Sequence, residues 1–551
     1  MSSDEILDVV IVGYGPTGQM AAALLGRRGH KVTAIERHHS LYSLPRASGI
    51  DFEIARILQS IGVMDRYLEE SAEPASKYTW INGSGEHLMT IDWDRPEVNG
   101  FQNMYIGFQP RLEDCINDAA LASGNVDVFH GWDVTEITRN ADGTSTISAA
   151  KTQRDDAGRR QRTGEVMHVT AKYVIAADGG NSTIRSALGI ELEDWGFDSS
   201  WLVVDSKIKR KLPTTSRVLG AKAVKFDQEL IQVCDPARPL YFGPLGKGGR
   251  RFEFALMPGE TVDQMESPDA AWSLLGDLWG LGPDDIEIYR QIVYTFNSFM
   301  AKEWRREDVF LIGDAAHAMP PYLAQGLCSS IRDAANLSWK LDFVLRGVAP
   351  KELLDTYQTE RSTNARWYIE ASLAVGAVSC TFDPVVAAER DAAFAAGLVE
   401  PPNDAPGLEV GVIQRGADGE AARPAGLQGP QAVVRYHGLT GRLDDVAPST
   451  SFVVLTHGFD AISALTADQL KFLERIDAQI VQIGASDVTD SAIAADVTGA
   501  YGTYFAQHNL SALIVRPDFY VFGGATASND FGALVDDLSN QLEHAAASIT
   551  A

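Results

Sequence analysis

The chain has 551 residues, of which 45% are hydrophobic and 22% are charged, and its formal net charge is -27. This length exceeds what one hydrophobic core supports, so two or three domains are expected. The acidic balance argues against a nucleic-acid surface and against binding to an anionic membrane.

Targeting segments and metal sites are not expected either. No apolar run reaches the roughly 18 residues of a membrane span, and the polar, acidic start of the chain lacks the pattern of a signal peptide. The four cysteines are far apart and have no metal-ligand or CxxC spacing. They are Cys115, Cys234, Cys328 and Cys380. These features predict a protein of the reducing cytoplasm without a bound metal.

The stretch from Asp8 to Glu36 predicts a dinucleotide-binding strand–turn–helix–strand unit. An apolar strand is followed by Gly13, Gly15 and Gly18, and a second short strand ends on Glu36. The first glycine allows the tight turn, the second lets a pyrophosphate approach the backbone, and the third lets helix and strand pack closely. The helix N-terminus attracts the phosphates, and the acid can bind a ribose hydroxyl. This pattern favours FAD or NAD over NADP and does not choose between the first two.

The next elements lie beside that unit. A loop and helix from Ser43 to Gly62 carry Arg46 and Asp51, and a second helix opens at Gln109. Strand-like stretches run from Tyr78 to Trp93, from Val126 to Val174 with alternating polarity, and from Tyr173 to Gly180.

Two further motifs each follow a predicted strand. The first runs from Asp178 to Arg185, and the second from Gly313 to His317, before a helix from Ile331 to Gly347. Either motif alone is explained by a strand-ending turn with a capping aspartate. Both together, in this order after the glycine-rich turn, need a functional explanation.

The three motifs resemble those of the FAD-dependent aromatic hydroxylases, the single-component class A flavoprotein monooxygenases. Members carry GxGxxG, DGxxSxxR and GDAAHxxPP…QG…DAxNLxWKL, and this chain matches all three between about residues 5 and 375. The stretch GLCSSIRDAANLSWKL is most similar to the 3-(3-hydroxyphenyl)propionate hydroxylase and phenol hydroxylase branch.

The resemblance implies an α/β fold with an α+β insert. A Rossmann-like FAD-binding domain of the p-hydroxybenzoate hydroxylase type would cover residues 1–195, with a short excursion into the substrate domain at about 75–105, and residues 301–380. A β-sheet substrate domain would cover residues 196–300. The composition of residues 381–433 predicts an irregular linker. Residues 434–551 resemble a thioredoxin-like domain. That last span holds no cysteine, so a structural or oligomer-forming role is expected.

The resemblance also implies a set of residues that bind FAD without a covalent bond. Glu36 would contact the ribose, Asp178 the pyrophosphate region and Asp314 the ribityl chain. His317 can be a catalytic residue or, as the alternative, a packed, hydrogen-bonded histidine. Cys328 is expected to be a small apolar neighbour of the flavin. The full set is Gly13, Gly15, Pro16, Thr17, Gly18, Glu36, Arg37, Arg46, Gln109, Arg111, Asp178, Gly313, Asp314, Pro321, Gln325, Gly326, Leu327 and Cys328.

Substrate residues are expected on a sheet between the second and third motifs and beside the flavin. Strands are predicted at Trp201–Lys207, Ala223–Phe226, Leu240–Phe242 and Phe252–Leu256. The candidates for the pocket are Tyr241, Phe242, Phe254 and Pro320. Aromatic residues on a sheet are more often plain core.

Asp51 is predicted to be the base that activates a phenol. The resemblance aligns its segment with one in which phenol hydroxylases keep an aspartate beside the substrate hydroxyl. Asp51 also precedes a helix with Ile54, Ile57 and Leu58 on one face, so it can be an N-cap. Both roles stay open at this point.

The implied reaction is hydroxylation of a small phenol with NAD(P)H and O₂ through a flavin C4a-hydroperoxide, ortho to an existing hydroxyl. NADH is slightly favoured as the reductant, and a homodimer or higher homo-oligomer is expected. The alternatives are a flavin-dependent oxidoreductase acting on a polyketide-type aromatic and a non-catalytic flavin-binding protein. A halogenase would need a WxWxIP motif and a disulfide reductase a cysteine pair, and the sequence has neither.

Overall fold

The computed structural model describes residues 5–155, 159–197, 199–212, 229–402 and 404–544. The strand predicted from Ala223 to Phe226 lies outside these residues.

The described strands fall into five sheets. In chain order they are β1 (Ile6–Val12), β2 (Val32–Glu36), β3 (Gly49–Asp51), β4 (Glu73–Pro74), β5 (Lys77–Asn82), β6 (His87–Asp92), β7 (Met104–Ile106), β8 (Val126–His130), β9 (Trp132–Arg139), β10 (Ser145–Arg154), β11 (Arg160–Ala176), β12 (Leu192–Asp194), β13 (Ser199–Ile208), β14 (Glu229–Cys234), β15 (Leu240–Pro244), β16 (Gly249–Ala255), β17 (Ile286–Phe296), β18 (Phe299–Ala301), β19 (Arg305–Arg306), β20 (Val309–Leu311), β21 (His317–Ala318), β22 (Val433–Tyr436), β23 (Leu439–Arg442), β24 (Val453–His457), β25 (Gln479–Gly484), β26 (Ala494–Asp496), β27 (Ala512–Val515) and β28 (Val521–Ala525).

The helices cover these sheets and connect them. In chain order the α-helices are α1 (Pro16–Arg27), α2 (Phe52–Ser60), α3 (Met64–Glu70), α4 (Gln109–Ala122), α5 (Thr183–Ala187), α6 (Val262–Met265), α7 (Pro268–Trp279), α8 (Gly326–Leu345), α9 (Thr356–Ser379), α10 (Pro384–Ala395), α11 (Leu443–Val446), α12 (Ala461–Ala464), α13 (Ala467–Arg475), α14 (Ala500–Gln507) and α15 (Ser528–Glu543). Short 3₁₀ helices occupy Gly313–Ala315, Pro321–Leu323 and Lys351–Asp355.

The first large sheet brings the three sequence motifs to one edge. Its path is β19-β20-β11-β1-β2-β8, and β1 pairs in parallel with both β2 and β11, while β11 pairs in parallel with β20. The carboxyl ends of β1, β11 and β20 therefore lie side by side, and one motif follows each of them. Ligands of such sheets bind outside the carboxyl ends of the strands.

A second sheet lies between residues 77 and 296. Its order is β17-β13-β16-β15-β14-β5-β6, and β14 pairs in parallel with β5. Successive side chains of a strand point to opposite faces. One face packs against α7 in a buried cluster that includes Phe252, Leu275 and Trp279, and the other face is free to cover a site.

The C-terminal sheet has the order β23-β22-β26-β25-β24-β27-β28. Its central part has β24 parallel to β25 and antiparallel to β27, and β27 antiparallel to β28, with helices on the faces. This arrangement is thioredoxin-like.

The segment predicted to be an irregular linker is more ordered than expected. Helix α10 forms within it because Asp383 accepts hydrogen bonds from the backbone N–H groups of Val385 and Val386 and a proline opens the helix. Farther along, Leu408, Ile413 and Ala425 form a buried cluster with Tyr520, so this stretch packs against the C-terminal domain.

No single described helix has the length and apolar character of a membrane span, although Lys351–Ser379 and Pro384–Ala395, bent by 114° at the break between them, meet that test together. Within the described ranges, no group of three or more His, Cys, Asp or Glu side chains could hold a metal ion.

Candidate active site

Two adjoining cavities form one groove along the carboxyl edge of the first sheet. The smaller has a volume of about 120 Å³ and reaches Glu36, and the larger, about 350 Å³, extends beneath the second sheet. They share Gly15, Pro16, Arg46, Gln109, Ala177 and Gly179. An elongated ligand can therefore extend from the end of β2 to the second sheet.

The glycine-rich turn has the geometry that its sequence predicts. Gly13 has φ +95°, and a Cβ there would lie 2.4 Å from the carbonyl oxygen of Ala177. A Cβ on Gly18 would lie 2.2 Å from the carbonyl oxygen of Gly13, so helix and strand touch at this point. A Cβ on Gly15 would meet nothing within 4 Å, because that side of the turn opens into the groove at the start of α1.

Glu36 is held at the far end of the smaller cavity. Its carboxylate accepts hydrogen bonds from the backbone N–H groups of Tyr14, at 2.7 Å, and His38, at 2.8 Å. Each oxygen retains acceptor capacity for a ribose hydroxyl. Arg37 also lines this cavity.

Gln109 and Arg46 stand where the two cavities meet. The Gln109 Oε1 accepts hydrogen bonds from the backbone N–H groups of Arg46, at 2.9 Å, and Ala47, at 2.6 Å, and its Nε2 donates to Glu113 at 2.8 Å. Burial raises the pKa of Glu113 to about 7. Arg111 differs from the prediction, because it is on the solvent side of α4, paired with Asp114 at 3.1 Å, and lines neither cavity.

Two aspartates direct oxygen atoms toward the groove. Asp178 accepts hydrogen bonds at Oδ2 from the N–H groups of Thr183 and Ile184, while its buried Oδ1 has no partner among the described residues. Burial raises the pKa of Asp178. Asp314 lines the larger cavity with an exposed side chain. The buried Oδ1 of Asp178 calls for a donor from a bound molecule, and the Asp314 carboxylate can accept one.

The turn after β20 is held from behind by Asp333. Its buried carboxylate accepts hydrogen bonds from the Gly313 N–H at 3.0 Å, from His317 Nε2 at 2.8 Å and from Arg361 Nε at 2.9 Å. Burial alone would raise the pKa of Asp333, but His317 and Arg361 hold it below the usual value. His317 therefore has the packed, hydrogen-bonded role that the sequence left open.

Only some of the residues predicted to bind FAD from the loop after this turn line a cavity. Pro321, Gly326 and Leu327 line the larger cavity, as does Thr17. Gln325 instead accepts a hydrogen bond from Arg332 at 3.0 Å, and Cys328 is fully buried. Gly313, Pro320, Gln325 and Cys328 do not line either cavity.

Asp51 is buried and has partners on both oxygens. Its Oδ1 caps α2 by accepting hydrogen bonds from the N–H groups of Glu53 and Ile54, both at 3.1 Å, and its Oδ2 forms an ion pair with Arg332. It does not line the larger cavity. The structure thus shows the capping role, and the catalytic role stays a prediction.

The face of the second sheet that covers the larger cavity is aromatic. Tyr241 belongs to it, as predicted, but Phe242 and Phe254 do not, because they point to the opposite face and pack against Trp279 with ring centroids 5.3 and 6.3 Å away. The side chains from this sheet that line the cavity are Tyr78, Trp201, Val203, Leu230, Gln232, Tyr241, Arg251, Glu253, Tyr294 and Phe296.

The sequence analysis did not predict the charged residues on this face of the second sheet. Arg251 and Glu253 are two apart on β16 and line the cavity, and Asp205 on the neighbouring strand pairs with Arg251. The alternation in Arg-Phe-Glu-Phe at 251–254 was the available signal, because a strand with period two places both charges on one face.

Comparison with known proteins agrees with this geometry. Residues 6–372 match the FAD binding domain family, and residues 426–541 match the HcaD C-terminal domain family. The chain is 35% identical over 536 residues to a probable NADH-specific resorcinol 4-hydroxylase of Rhodococcus jostii, covering 97% of this chain and 94% of the relative. It is 30% identical to a 3-(3-hydroxy-phenyl)propionate/3-hydroxycinnamic acid hydroxylase of Escherichia coli K12, covering 94% of this chain and 91% of the relative. A crystal structure of the flavin-dependent monooxygenase PieE with FAD and substrate has the same fold, with a TM-score of 0.79 at 22% identity, covering 98% of this chain and all of that chain.

The fold and the groove define a flavoprotein. The chain belongs to the FAD-dependent aromatic hydroxylases, and it is an FAD-dependent monooxygenase.

The residues present fit FAD. The open space at Gly15, the unpartnered oxygen of Asp178 and the exposed carboxylate of Asp314 suit its pyrophosphate and hydroxyl groups. Bound there, the flavin supplies the oxygen-transfer chemistry, while the protein supplies position and a site shielded from water.

Proposed function

We propose that this enzyme hydroxylates a small phenol with NADH and O₂, ortho to an existing hydroxyl, through a flavin C4a-hydroperoxide. The observation that carries the proposal is the continuity of the groove. It runs from the glycine-rich turn to an aromatic sheet face, and Trp201, Tyr241 and Tyr294 line its far end. Flat aromatic walls suit a planar ring.

The ortho position is proposed from the chemistry of phenols together with the reaction that a relative's name describes. A phenol that loses its proton pushes electron density to the ortho and para carbons. The name of the Rhodococcus relative places hydroxylation at carbon 4 of resorcinol, which is ortho to one hydroxyl and para to the other. The same name supports NADH as the reductant.

The purified protein tests this proposal directly. We expect yellow protein whose flavin is released by heat, because none of the contacts requires a covalent bond. We expect NADH oxidation and O₂ uptake to accelerate on addition of resorcinol, with a product one oxygen atom heavier by mass spectrometry. NADPH and a multi-ring polyketide-type phenol serve as comparisons.

The result separates this function from its rivals. Flavin without phenol-stimulated NADH oxidation would indicate a non-catalytic flavin-binding protein. Turnover of the multi-ring phenol alone would indicate the polyketide-type reaction.

Two further expectations accompany this function. The cytoplasm is the proposed compartment, because the four cysteines are free thiols and free thiols persist in reducing compartments. A homodimer or higher homo-oligomer is the proposed assembly, and light scattering of the purified holoenzyme measures it.

A further inference from the structure

Glu253 is a carboxylate of the larger cavity that has one ionic neighbour among the described residues. It lies on β16 directly opposite Val203 of β13 and Tyr241 of β15, and it faces the larger cavity with 13% of its side chain exposed. Among the described residues its carboxylate accepts no hydrogen bond. The nearest cationic atom is Arg251 Nε, which is 3.8 Å from Oε1.

The neighbouring arginines are already engaged elsewhere. Arg251 donates to both oxygens of Asp205, at 2.7 and 3.0 Å, and to the carbonyl oxygens of Arg46, at 2.9 Å, and Pro45, at 3.1 Å. Arg290 lies 3.4 Å from Asp205 and also donates to the Pro45 carbonyl. Both arginines therefore direct their N–H groups to Asp205 and to backbone carbonyls, and Glu253 is left with an acceptor directed into the cavity.

We propose that Glu253 receives the hydrogen bond of the substrate's phenolic hydroxyl and takes up its proton during hydroxylation. This proposal rests on the proposed function. The phenolic O–H bond breaks, an O–H bond forms on the Glu253 carboxylate, and the electron pair left on oxygen enters the ring toward the ortho carbon. NADH supplies the two electrons, and O₂ supplies one oxygen atom to the ring and one to water. Glu253 then returns its proton to the phenolic oxygen as the attacked carbon loses its hydrogen to water, which regenerates the carboxylate.

The groups around Glu253 give its carboxyl a pKa that suits a base near neutral pH. Burial, with Asp205 nearby and partly offset by Arg251 and Arg290, raises the pKa of Glu253 to about 7. A base is most effective when its pKa lies near the working pH, and a phenol has a pKa of about 10. The carboxylate form gains population as the pH rises through about 7. Titratable and charged groups face Glu253 from every neighbouring element. They are Asp205 of β13, Tyr241 of β15, Arg251 of β16, Arg290 of β17, Tyr78 of β5 and Tyr322 of the 3₁₀ helix Pro321–Leu323.

The same placement predicts which phenols are accepted. The arginines lining the larger cavity in the described structure are Arg46, at the junction with the cofactor groove, and Arg251, bound to Asp205. The FAD phosphates would take up the charge of Arg46, so a substrate carboxylate would approach Glu253 without a free lining cation to balance it. An uncharged polyhydroxylated ring, such as resorcinol, is therefore preferred over a hydroxyphenylalkanoate.

The test uses holoenzyme with Glu253→Gln, which keeps shape and removes the base. We expect its rate of phenol hydroxylation to fall by about 10²- to 10⁴-fold, with FAD content unchanged and peroxide release raised. The wild type should gain activity as the pH rises through about 7, and the variant should lose that rise. Glu287→Gln, an exposed carboxylate on the same sheet, is the matched control and should behave as wild type.

A substrate series keeps the test decisive. Fluorinated phenols that are already ionised at neutral pH need no base, so the ratio of wild-type to Glu253→Gln rates should shrink toward one as the phenol pKa falls. Glu253→Asp should restore part of the activity and the pH rise, and it answers the case in which the glutamine variant does not fold. If Glu253→Gln keeps the wild-type rate and pH profile, or if the ratio does not change with phenol pKa, the inference is wrong while the proposed function stands. If wild type hydroxylates no phenol, the proposed function itself fails.

Discussion

A substitution at Gly15 tests whether the FAD pyrophosphate lies against the glycine-rich turn. Its φ is −75°, which any residue adopts, and its missing Cβ faces open space. Gly15→Leu should therefore fold but fill the place of the pyrophosphate, giving colourless protein by absorbance. Gly164→Leu places the same side chain where a Cβ also meets nothing, on a strand away from the groove, and should stay yellow. A yellow, active Gly15→Leu enzyme would contradict the assigned cofactor path.

A substitution at Asp51 tests which carboxylate, Asp51 or Glu253, takes up the proton of the phenol. Asparagine can keep the helix cap, but it loses the charge that faces buried Arg332. We expect Asp51→Asn to lower the thermal stability while hydroxylation per bound flavin stays within about twofold of wild type. The measurement is product formed per flavin, together with the melting temperature.

The opposite outcome has a clear meaning. If Asp51→Asn kept its stability and FAD but lost hydroxylation with rising peroxide release, the base predicted from the sequence would be Asp51 and not Glu253.

The three glycines whose backbone geometry matches the sequence pattern share one property. Gly13, Gly15 and Gly18 act through the backbone of a single turn, so their spacing carries their function without knowledge of the fold. Phe254 and Glu253 are adjacent in sequence but on opposite faces, and only the packing of α7 decides which face is core. Aromatic character alone could not make that distinction.

At the scale of elements, Asp205 joins the second sheet to the loop beside the flavin groove. Its fully buried carboxylate pairs with Arg251 and Arg290, which also donate hydrogen bonds to the carbonyl oxygen of Pro45. Asp205→Ala would remove the carboxylate paired with both buried guanidinium groups and leave Arg251 with only the more distant Glu253, and breaking such a buried pair costs about 3–5 kcal/mol. Urea unfolding of the holoenzyme measures this.

The control is an exposed pair of the same type. Glu193 pairs with Arg366 at 2.6 Å at the surface, and Glu193→Ala should change the free energy of unfolding by about 1 kcal/mol or less. Equal losses in the two variants would mean that Asp205 does not tie the sheet to the loop.

At the scale of the whole molecule, a buried ionic network joins the C-terminal domain to the flavin domain. Glu360 Oε2 accepts hydrogen bonds from Lys340 at 2.8 Å and Arg516 at 2.7 Å, and Arg516 also binds Asp518 at 2.7 Å. Trp339 of α8 lies in one buried cluster with residues of the C-terminal sheet. The order of the domains along the chain could be predicted from the sequence, but this docking could not, because it joins residues such as Trp339 and Asp518 that are 179 positions apart.

This network predicts that the two domains unfold together. Arg516→Met removes one partner of buried Glu360 and should cost about 3–5 kcal/mol, seen as early flavin release on heating. Arg475→Met removes an exposed partner of Glu543 in the same domain and should have little effect. A soluble flavin domain that kept FAD and its assembly after deletion of residues 404–551 would show that the C-terminal domain is not needed for stability.

In the proposed function, FAD bound in this groove directs an oxygen atom from O₂ onto a phenol. The most direct measurement is hydroxylation of resorcinol by the NADH-driven holoenzyme under isotopically labelled O₂. We predict one labelled oxygen atom in each product molecule and close to one NADH consumed per product. Unlabelled product, or NADH oxidation that yields only hydrogen peroxide with every phenol tried, would contradict the claim.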